Sequence, residues 1–433
     1  MDRRRRGDCR TAGRESVLNE TGGRAAEFRG PAPRRGGDTT NSIVTWIDPP
    51  VGSGGDGPLR GLRIGLKDNI DVAGVPTTCG SAFFADRIPD AHAEVVRRSS
   101  DAGAQLVAKL NMAEFAVGVT SGNSAAGAVV NPWDPSRVPG GSSGGSGAAV
   151  AAGLVTAALG TDTGGSVRLP AAACGVTGLR PTWGAISNAG VFPVSESFDT
   201  VGPMARTVEQ VARIFEVLRT GPAPDVAPVR RIGVPEVFVT DDVDPAVTAA
   251  VRAAADRCAD LGYEVVPVRI PGAEQAQDIV YTLIYADLAH CHRDRILNSP
   301  EVFQPATLER ISLGLPITEA ERSTARNRRD EFRRGLADVF DRVDVVLTPT
   351  MPIDVPPVDG GADVVAQSRR MGQFSYPWSL HDGPTLALPV GFHPGSGMPI
   401  GAQLTAAAHR EALLFEVGRR YQQVTDWHSA RPN

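Results

Sequence analysis

Two glycine- and serine-rich loops are the stretches of this sequence whose residue types could carry chemistry. They cover residues 140–146 and 161–166. Glycine lets the backbone approach a ligand closely, and successive N–H groups of such a loop can point at one spot and bind an anion. Acyl transfer needs such donors for the oxyanion of its tetrahedral intermediate. We therefore interpret Ser166 as a nucleophile. The oxyanion hole is expected at the backbone N–H groups of Thr163, Gly164, Gly165 and Ser166.

Lysine is almost absent, which makes the two lysines that occur informative. The chain has 42 arginines but only Lys67 and Lys109. A guanidinium does not deprotonate, whereas a buried ammonium can lose its proton and act as a base. Lys67 follows the alternating stretch 62–66, so a strand would present it at a rigid terminus. We interpret Lys67 as a base and Lys109 as a structural residue at the end of a strand.

Three other interpretations of the loops have to be weighed. A phosphate-binding loop ends in Gly-Lys-Ser/Thr, and neither loop contains a lysine. A flexible linker does not explain the apolar run 147–159 between the loops. Residues 141–145 formally fit Gly-x-Ser-x-Gly, the nucleophile elbow of α/β-hydrolases, with Ser143 as nucleophile and histidines downstream. The elbow requires a preceding strand, whereas Pro139 and the residues before it read as turns. Ser143 nevertheless stays a rival to Ser166.

The surroundings of the loops indicate how the two serines Ser142 and Ser166 would be held. Residues 147–159 are small, apolar and uncharged, which predicts a short buried helix packed closely against its neighbours. Asp162 and Arg168 flank the second loop, and an ion pair between them would hold that loop in shape. A helix bracketed by two loops would bring serines from distant positions together.

The remaining elements alternate in type along the chain. The pattern predicts strands at 62–66, 105–110, 231–235, 263–270, 344–348, 385–390 and 400–405. It predicts helices at 92–102, 207–218, 244–262, 274–296, 318–343 and 410–422. Residues 179–182, 199–203 and 353–384 read as loops, and the last of these is long enough to wall a pocket. Alternating strands and helices are typical of an α/β layered fold.

Composition bounds the classes of function. The net charge of −5 does not indicate binding to nucleic acid. The apolar runs are too short to span a bilayer. Five cysteines without a C-x-x-C pair favour reduced thiols and a cytoplasmic setting. Residues 1–40 hold ten arginines, six acidic residues and few large apolar ones, which predicts a disordered tail. No apolar stretch follows the arginine run, so a secretory peptide is rejected.

Taken together, these motifs resemble the amidase signature family. The matching text is Gly-Leu-Lys-Asp-Asn at 65–69, Pro-Gly-Gly-Ser-Ser-Gly-Gly-Ser at 139–146, Gly-Thr-Asp-Thr-Gly-Gly-Ser-Val-Arg at 160–168 and Cys-Gly-Val-Thr-Gly-Leu-Arg-Pro-Thr at 174–182. The match is strong over residues 61–207 and continues more weakly to the C-terminus. The resemblance implies an α/β/α layered fold with one large mixed sheet covered by helices, and an amidase domain over residues 41–433.

The resemblance also implies a Ser–cis-Ser–Lys triad. Ser166 is then the nucleophile, Ser142 the bridging serine after a cis peptide bond, and Lys67 the base. The side chains expected to support the loops are those of Ser143, Asp162 and Arg168. No cofactor and no metal are implied. The substrate pocket is expected at Met112, Phe115, Trp378 and His381.

The chain departs from the family pattern at two places. The helical segment usual before the lysine strand is shortened or missing, which leaves its contribution to a homodimer open. The stretch Leu-His-Asp-Gly-Pro at 380–384 stands where the family often has Asn-Leu-x-Gly-x-Pro, so the pocket there is expected to be unusual.

The expected function is an amidohydrolase that cleaves a small carboxamide through a Ser166 acyl-enzyme. Its partner is a small-molecule amide, with neither nucleic acid nor membrane. One alternative is the glutaminase subunit of a tRNA-dependent amidotransferase, against which Gln373 stands about where that subunit's substrate-gripping acid is expected. The other alternative is a protein of the same fold without activity. The presence of Lys67, Ser142 and Ser166 together argues against it, because such a scaffold would not need all three residues.

Overall fold

The computed structural model describes residues 37–52, 54–222, 224–358 and 364–432. Most of the predicted disordered tail lies outside these residues. Its last four residues, 37–40, are among those described. Asp38 is buried, and its carboxylate accepts hydrogen bonds from the backbone N–H of Thr40 (2.9 Å) and of Ile43 (3.0 Å). These bonds fix the chain where the first strand begins.

Within the described residues, eleven strands form one mixed sheet. They are β1 (Ile43–Val51), β2 (Arg63–Lys67), β3 (Gln105–Leu110), β4 (Ala157–Asp162), β5 (Thr177–Arg180), β6 (Thr200–Ala205), β7 (Arg231–Pro235), β8 (Glu264–Val268), β9 (Val345–Pro349), β10 (Thr385–Phe392) and β11 (Pro399–Thr405). The order across the sheet is β1-β3-β2-β4-β6-β5-β10-β11-β9-β7-β8. Strand β2 is parallel to both β3 and β4, and β7 is parallel to both β8 and β9. The other pairs are antiparallel.

Helices cover both faces of the sheet. They are α1 (Glu94–Asp101), α2 (Gly144–Ala151), α3 (Arg168–Cys174), α4 (Val208–Leu218), α5 (Pro245–Asp260), α6 (Ala276–Asn298), α7 (Pro305–Ser312), α8 (Glu319–Phe340), α9 (Val364–Gly372), α10 (Tyr376–His381) and α11 (Glu411–Gln423). Helices α1, α4, α5 and α11 share one hydrophobic core with one face of the sheet. The short helices α2 and α3 pack on the other face, and α6, α8 and α10 build a further core beside them. The predicted α/β/α layered fold is confirmed.

Strand alternation decides which residues reach the face of the sheet that α2 and α3 cover. In β2, Ile64 and Leu66 point into the core under α1 and α4. Side chains alternate along a strand, so Lys67 points to the opposite face, where α2 and α3 lie. Strand β2 is also central, with a parallel partner on each side, so its carboxyl end is held firmly.

The helix predicted over residues 147–159 is wrong in its second half. Helix α2 ends at Ala151, the chain turns at Gly153 with a φ of +73°, and the rest becomes strand β4. The run is uncharged and small throughout, so no periodicity separated a buried helix from a buried strand. Two stretches predicted as loops, 179–182 and 199–203, also lie partly in strands, β5 and β6. Helices α9 and α10 lie in the predicted loop 353–384.

The predicted helix starts at residues 207, 244 and 318 are confirmed, and each of these residues is an N-cap. Thr207 and Thr318 each form a complete capping box at the start of α4 and α8. Asp244 caps α5 through a bond from the backbone N–H of Ala246. Within the part of the chain described, no helix is long and apolar enough to cross a membrane.

Candidate active site

Lys67 lies at the end of β2, fully buried. Its Nζ donates to Ser142 Oγ at 2.8 Å and to Thr161 Oγ1 at 2.8 Å. Thr161 belongs to β4, the neighbour of β2 in the sheet. The lysine is therefore held by a loop on one side and by the adjacent strand on the other. This arrangement gives its amine a fixed direction toward Ser142.

Burial changes the protonation of this lysine. Desolvation lowers the pKa of Lys67 from 10.5 to about 7, although the charges of Asp162 and Asp199 act in the opposite direction. A low-dielectric site disfavours the ammonium, and the nearby carboxylates only partly offset that effect. A substantial share of the neutral amine is thus present near neutral pH, which is what a general base requires.

The loop before α2 brings Ser142 to the lysine through an unusual backbone. The Gly141–Ser142 peptide bond is cis, and Ser142 is fully buried. Gly145, in the first turn of α2, allows this helix to begin close to the residue that follows β3, because a Cβ there would meet the carbonyl oxygen of Asn111 at 2.3 Å. The predicted cis bond before Ser142 is therefore present.

Ser166 sits where the second loop enters α3 and is partly exposed. It lines a small cavity of about 70 Å³. The backbone N–H of Ser143 donates to the carbonyl oxygen of Ser166 at 3.3 Å, which joins the two loops. Among the described residues, no hydrogen bond links the hydroxyls of Ser142 and Ser166. The structure thus brings the two loops together and leaves the Ser166 hydroxyl facing the cavity.

Asp162 is the centre of the second loop. Its buried carboxylate pairs with Arg168 (2.9 Å) and with Arg180 (3.2 Å). It also accepts the backbone N–H groups of Gly165 (2.9 Å) and Val167 (3.1 Å). Burial by itself would raise the pKa of this carboxyl, but the two arginines hold it well below its usual range. The predicted Asp162–Arg168 ion pair is present, and Arg180 is a third member that the sequence did not indicate.

The loop offers backbone donors near Ser166. The Gly165 N–H is used by Asp162, so within the described structure the N–H groups of Thr163, Gly164 and Ser166 are those without a hydrogen-bond acceptor. The Thr163 hydroxyl donates to Asp199 Oδ1 at 2.6 Å, which ties the loop to the start of β6. Burial raises the pKa of Asp199 to about 6, against the hydrogen bonds that favour its charged form.

Ser143 has a structural place. It is fully buried at the start of α2, and its hydroxyl donates to the carbonyl oxygen of Thr161 at 3.2 Å. The Thr161 N–H reaches the same hydroxyl at 3.4 Å. Ser143 does not line the cavity, and the described residues directly before it form a loop rather than a strand. The geometry therefore does not support the nucleophile-elbow interpretation.

The predicted pocket residues do not line the cavity at Ser166. Met112 is fully buried, and Phe115 lies in an aromatic cluster with His292 (4.4 Å between rings). Trp378 stacks on Phe238, and His381 stacks on Phe340. Phe115 and Trp378 belong to the core that α6, α8 and α10 build, where large apolar rings gain more from burial than from lining an open cavity. The pocket assignment is corrected accordingly.

Other residues form the cavity wall. Helix α6 contributes Tyr281, Ile284, Tyr285 and Leu288, whose spacing places them on one face of the helix. Tyr376 at the start of α10 faces them, and its hydroxyl lies 2.9 Å from that of Tyr281. The helical spacing of these four residues is visible in the sequence, but the same spacing is typical of a helix face that packs in a core.

Arg310 of α7 is the cationic side chain of the cavity wall. It is 2% exposed and donates to the hydroxyl of Ser368 in α9. Gly118 lies against it with a φ of +136°, and a Cβ there would come within 2.7 Å of Arg310 Nη1. The glycine thus permits the guanidinium to reach the cavity. Sequence reasoning missed Arg310 because no helix was predicted between residues 296 and 318, where α7 lies, and Arg310 is the single arginine of that short helix.

The described side chains were also searched for groups that could bind a metal ion. No group of three His, Cys, Asp or Glu residues lies close enough there to hold an ion. Cys79, Cys174 and Cys258 are buried free thiols, and Cys291 is buried as well. Lys109 pairs with Asp68 at 2.9 Å, both of them buried, which agrees with the structural role expected for this lysine.

Comparison with known proteins agrees with this geometry. A family model described as Amidase matches residues 51–415. A glutamyl-tRNA(Gln) amidotransferase subunit from Roseiflexus sp. (strain RS-1) is 37% identical over 421 aligned residues, covering 88% of this chain and 86% of that protein. The solved structure of the corresponding subunit from Thermotoga maritima is 30% identical with a TM-score of 0.77, covering 89% of this chain and 88% of that one.

A second solved structure is similar as well. It is a chain of a vestigial protein complex that reveals the evolutionary origins of an s-triazine catabolic enzyme. It is 33% identical with a TM-score of 0.79, covering 88% of this chain and 86% of that one. A family model that spans most of the chain, together with relatives above 30% identity, shows the family. The chain belongs to the amidase signature family.

Proposed function

We propose that this protein is a serine amidohydrolase that releases ammonia from a carboxamide through an acyl-enzyme on Ser166. Neutral Lys67 accepts a proton from Ser142, and Ser142 accepts one from Ser166 as the Ser166 oxygen attacks the amide carbon. The relay returns a proton to the nitrogen as the C–N bond breaks. Water then attacks the acyl-enzyme by the same route and releases the acid.

The observation that carries this proposal is the buried contact of Lys67 with Ser142. The 2.8 Å distance between Nζ and Oγ is within reach for proton transfer, and the pKa of about 7 supplies a neutral amine. The step from Ser142 to Ser166 requires the Ser166 hydroxyl to turn toward Ser142. A side-chain rotation of this kind is consistent with apo sites, in which catalytic hydrogen bonds tighten only when substrate is bound.

Backbone donors would stabilise the oxyanion. We assign this role to the N–H groups of Thr163, Gly164 and Ser166, since that of Gly165 is used by Asp162. Preorganised donors of this kind each contribute about 3–4 kcal/mol to the transition state in serine hydrolases. The Asp162 cluster then has a positioning role, because it holds the loop that carries all of these groups.

The cavity favours a substrate with a carboxylate, such as glutamine. Arg310 presents a guanidinium to a cavity of small volume, and guanidinium binds carboxylate through two parallel hydrogen bonds. The relatives of Roseiflexus and Thermotoga maritima are named as subunits of glutamyl-tRNA(Gln) amidotransferases. We therefore favour ammonia release from glutamine, in the manner of such a subunit, over hydrolysis of an uncharged small amide.

A second candidate is an amidohydrolase that acts alone on another small carboxamide. Gln373 accepts a hydrogen bond from Arg370 at 2.9 Å and does not line the cavity. Among the described residues of the cavity wall, no carboxylate is present to pair with the ammonium of an amino acid. This observation favours an acid amide without a free amine.

The two candidates are separated by ammonia release from glutamine, succinamate and propionamide. A glutaminase subunit prefers glutamine and gains activity when it is mixed with partner subunits of a related amidotransferase. An enzyme acting alone on acid amides prefers succinamate, and its rate is unaffected by those subunits. In both cases Arg310→Met should raise KM for the two amides that carry a carboxylate, glutamine and succinamate, by about 10-fold or more, and leave propionamide unchanged.

The chemistry itself is tested with a serine-directed phosphonate and mass mapping of the adduct. A single adduct on Ser166, absent in Lys67→Ala, is expected. Ser143→Ala is the matched control and should keep labelling if it folds. Labelling of Ser143 in the parent protein would contradict the assignment, and absence of both labelling and turnover would favour a scaffold without activity.

A further inference from the structure

The residue before helix α10 contacts the second glycine-rich loop, residues 161–166. Ser375 is fully buried there, and its hydroxyl donates to the carbonyl oxygen of Gly164. The hydroxyl also lies 2.8 Å from the carbonyl oxygen of Gly372, so its one proton is shared between two acceptors. Ser375 and Gly164 are 211 residues apart in the sequence, so this contact exists only in the folded chain. None of the steps of the proposed reaction involves it.

Two glycines let the loop lie this close to Ser375. Gly165 has a φ of +131°, and a Cβ there would come within 2.4 Å of Ser375 Oγ and 2.8 Å of Ser375 Cβ. These separations are shorter than van der Waals contact, so a side chain at Gly165 would push the loop away from α10. A Cβ at Gly164 would lie 3.0 Å from the ring of Tyr376, which lines the cavity at Ser166. The loop and the start of α10 are thus packed directly against each other.

The hydrogen bonds to Ser375 and to Asp162 hold opposite ends of one peptide group. The carbonyl oxygen of Gly164 and the N–H of Gly165 belong to the same planar unit. The oxygen accepts from Ser375, and the N–H donates to Asp162 Oδ1 at 2.9 Å. Glycine populates both signs of φ, so a unit between two glycines rotates easily unless it is held. Its rotation would turn the neighbouring N–H groups of Gly164 and Ser166, which are two of the proposed oxyanion donors.

The backbone of Ser375 is itself anchored. Arg168 Nη1 donates to the carbonyl oxygen of Ser375 at 2.8 Å, while the same guanidinium pairs with Asp162. Arg168 Nη2 donates to the hydroxyl of Ser379, one turn further along α10, at 2.8 Å. In the described part of the chain, the hydrogen bonds of Ser379 join it to Arg168 and Ser375, and none joins it to residues 163–166. Ser375 therefore contacts the loop directly, and Ser379 does so only through Arg168.

We propose that Ser375 is a positioning residue of the acyl-transfer reaction. Its hydroxyl fixes the Gly164–Gly165 peptide group and thereby directs the N–H groups of Gly164 and Ser166 toward the oxyanion. This role rests on the proposed function, because it requires an oxyanion on a substrate bound to Ser166. Donors that are fixed in advance stabilise the transition state more than the bound substrate. Loss of the Ser375 hydroxyl should therefore lower kcat and leave KM unchanged.

Ser375→Ala tests this role through the rate at which a fluorophosphonate labels Ser166. In that reaction the Ser166 oxygen bonds to phosphorus, fluoride leaves, and the Ser166 proton passes to Ser142. The phosphoryl oxygen gains negative charge in the transition state and needs the same backbone donors. We expect Ser375→Ala to be labelled more slowly than the parent protein by about tenfold or more, as measured by intact mass. On an amide that the parent protein hydrolyses, kcat should fall equally, with KM within about twofold of the parent value.

Ser379→Ala is the matched control. It makes the same substitution one turn later in α10, at a side chain that is equally buried and hydrogen-bonded to Arg168. Both variants should lose a similar part of the free energy of unfolding in urea, because each loses a buried hydroxyl. Only Ser375→Ala should lose labelling rate. A loss of the same size in Ser379→Ala would overturn the proposal, since the effect would then follow the packing of α10 rather than the bond to Gly164.

Hydrogen exchange provides a second measurement that needs no turnover. The amides of residues 163–167 should exchange several times faster in Ser375→Ala than in the parent protein, and at the parent rate in Ser379→Ala. Unchanged exchange in Ser375→Ala would overturn the proposal, as would a labelling rate equal to that of the parent protein. A parent protein that takes no label gives a different result. It removes the proposed function, and with it the role of Ser375 in the reaction, even where the loop of Ser375→Ala exchanges faster.

Discussion

The burial of Lys67 should make this protein less stable than it would be with an apolar residue there. Lys67 ionises with a pKa of 10.5 in an unfolded chain and of about 7 in the folded one. Folding must therefore expel a proton between these pH values, and stability is lost as pH falls from 10.5 toward 7. Linkage with these values gives a cost of about 4 kcal/mol at pH 7 and about 2 kcal/mol at pH 9.

Lys67→Met removes this cost together with two hydrogen bonds. The bonds to Ser142 and Thr161 contribute about 1 kcal/mol each, and this contribution does not depend on pH. We thus expect the variant to be inactive and more stable than the parent by about 2 kcal/mol at pH 7. The two proteins should be nearly equal in stability at pH 9.

The measurement is urea unfolding of both proteins at pH 6, 7, 8 and 9. Ser166→Ala is the control, because it also abolishes the reaction but removes no buried base, so its stability relative to the parent should not vary with pH. A difference between Lys67→Met and the parent that stays constant from pH 7 to pH 9 would refute the reasoning. It would mean that burial does not disfavour the ammonium of Lys67.

Three further changes test other parts of the site. The kcat/KM value of the parent should rise with pH through about 7 as Lys67 loses its proton. Asp199→Asn should move this inflection to lower pH, because a carboxylate that stabilises the Lys67 ammonium is removed. A pH–rate profile of each protein measures both effects. Asp162→Asn leaves two buried arginines without their carboxylate and should lower the free energy of unfolding by about 3–5 kcal/mol in urea. Lys109→Met leaves the buried carboxylate of Asp68 without its cation and should cost a similar 3–5 kcal/mol, with an unchanged pH–rate inflection in the protein that remains folded.

The residues that meet at the candidate site could be singled out from the sequence because their types are unusual for their surroundings. Lys67 is one of two lysines among many arginines, and Ser142 and Ser166 lie in loops whose glycines allow close backbone approach. Such features depend on local composition and can be seen without the fold. Capping residues were predictable for the same reason, since Thr207 and Thr318 act within one turn of the chain.

The cavity walls could not be predicted in the same way. Tyr281 and Arg310 become neighbours of Ser166 only through the packing of α6 and α7 on the sheet. On a sequence, an aromatic residue that lines a cavity and one that fills a core have the same pattern, which is why Trp378 was expected in the pocket and lies buried against Phe238. Tertiary packing decides between them, and no local signal reports it.

The order of the strands separates two tasks along the chain. Lys67, Ser142 and Ser166 all precede the end of β6 at Ala205, whereas α6, α7, α9 and α10, which supply much of the cavity wall, follow Gly272. The residues of the proposed reaction and much of the cavity wall are thus encoded by two consecutive parts of the gene. If the proposed function holds, replacing the later segment by that of a relative of different specificity, with the pairing of β10 to β5 and the Ser375 hydroxyl kept, should change which amide is accepted. The reaction would be inherited unchanged from the earlier segment.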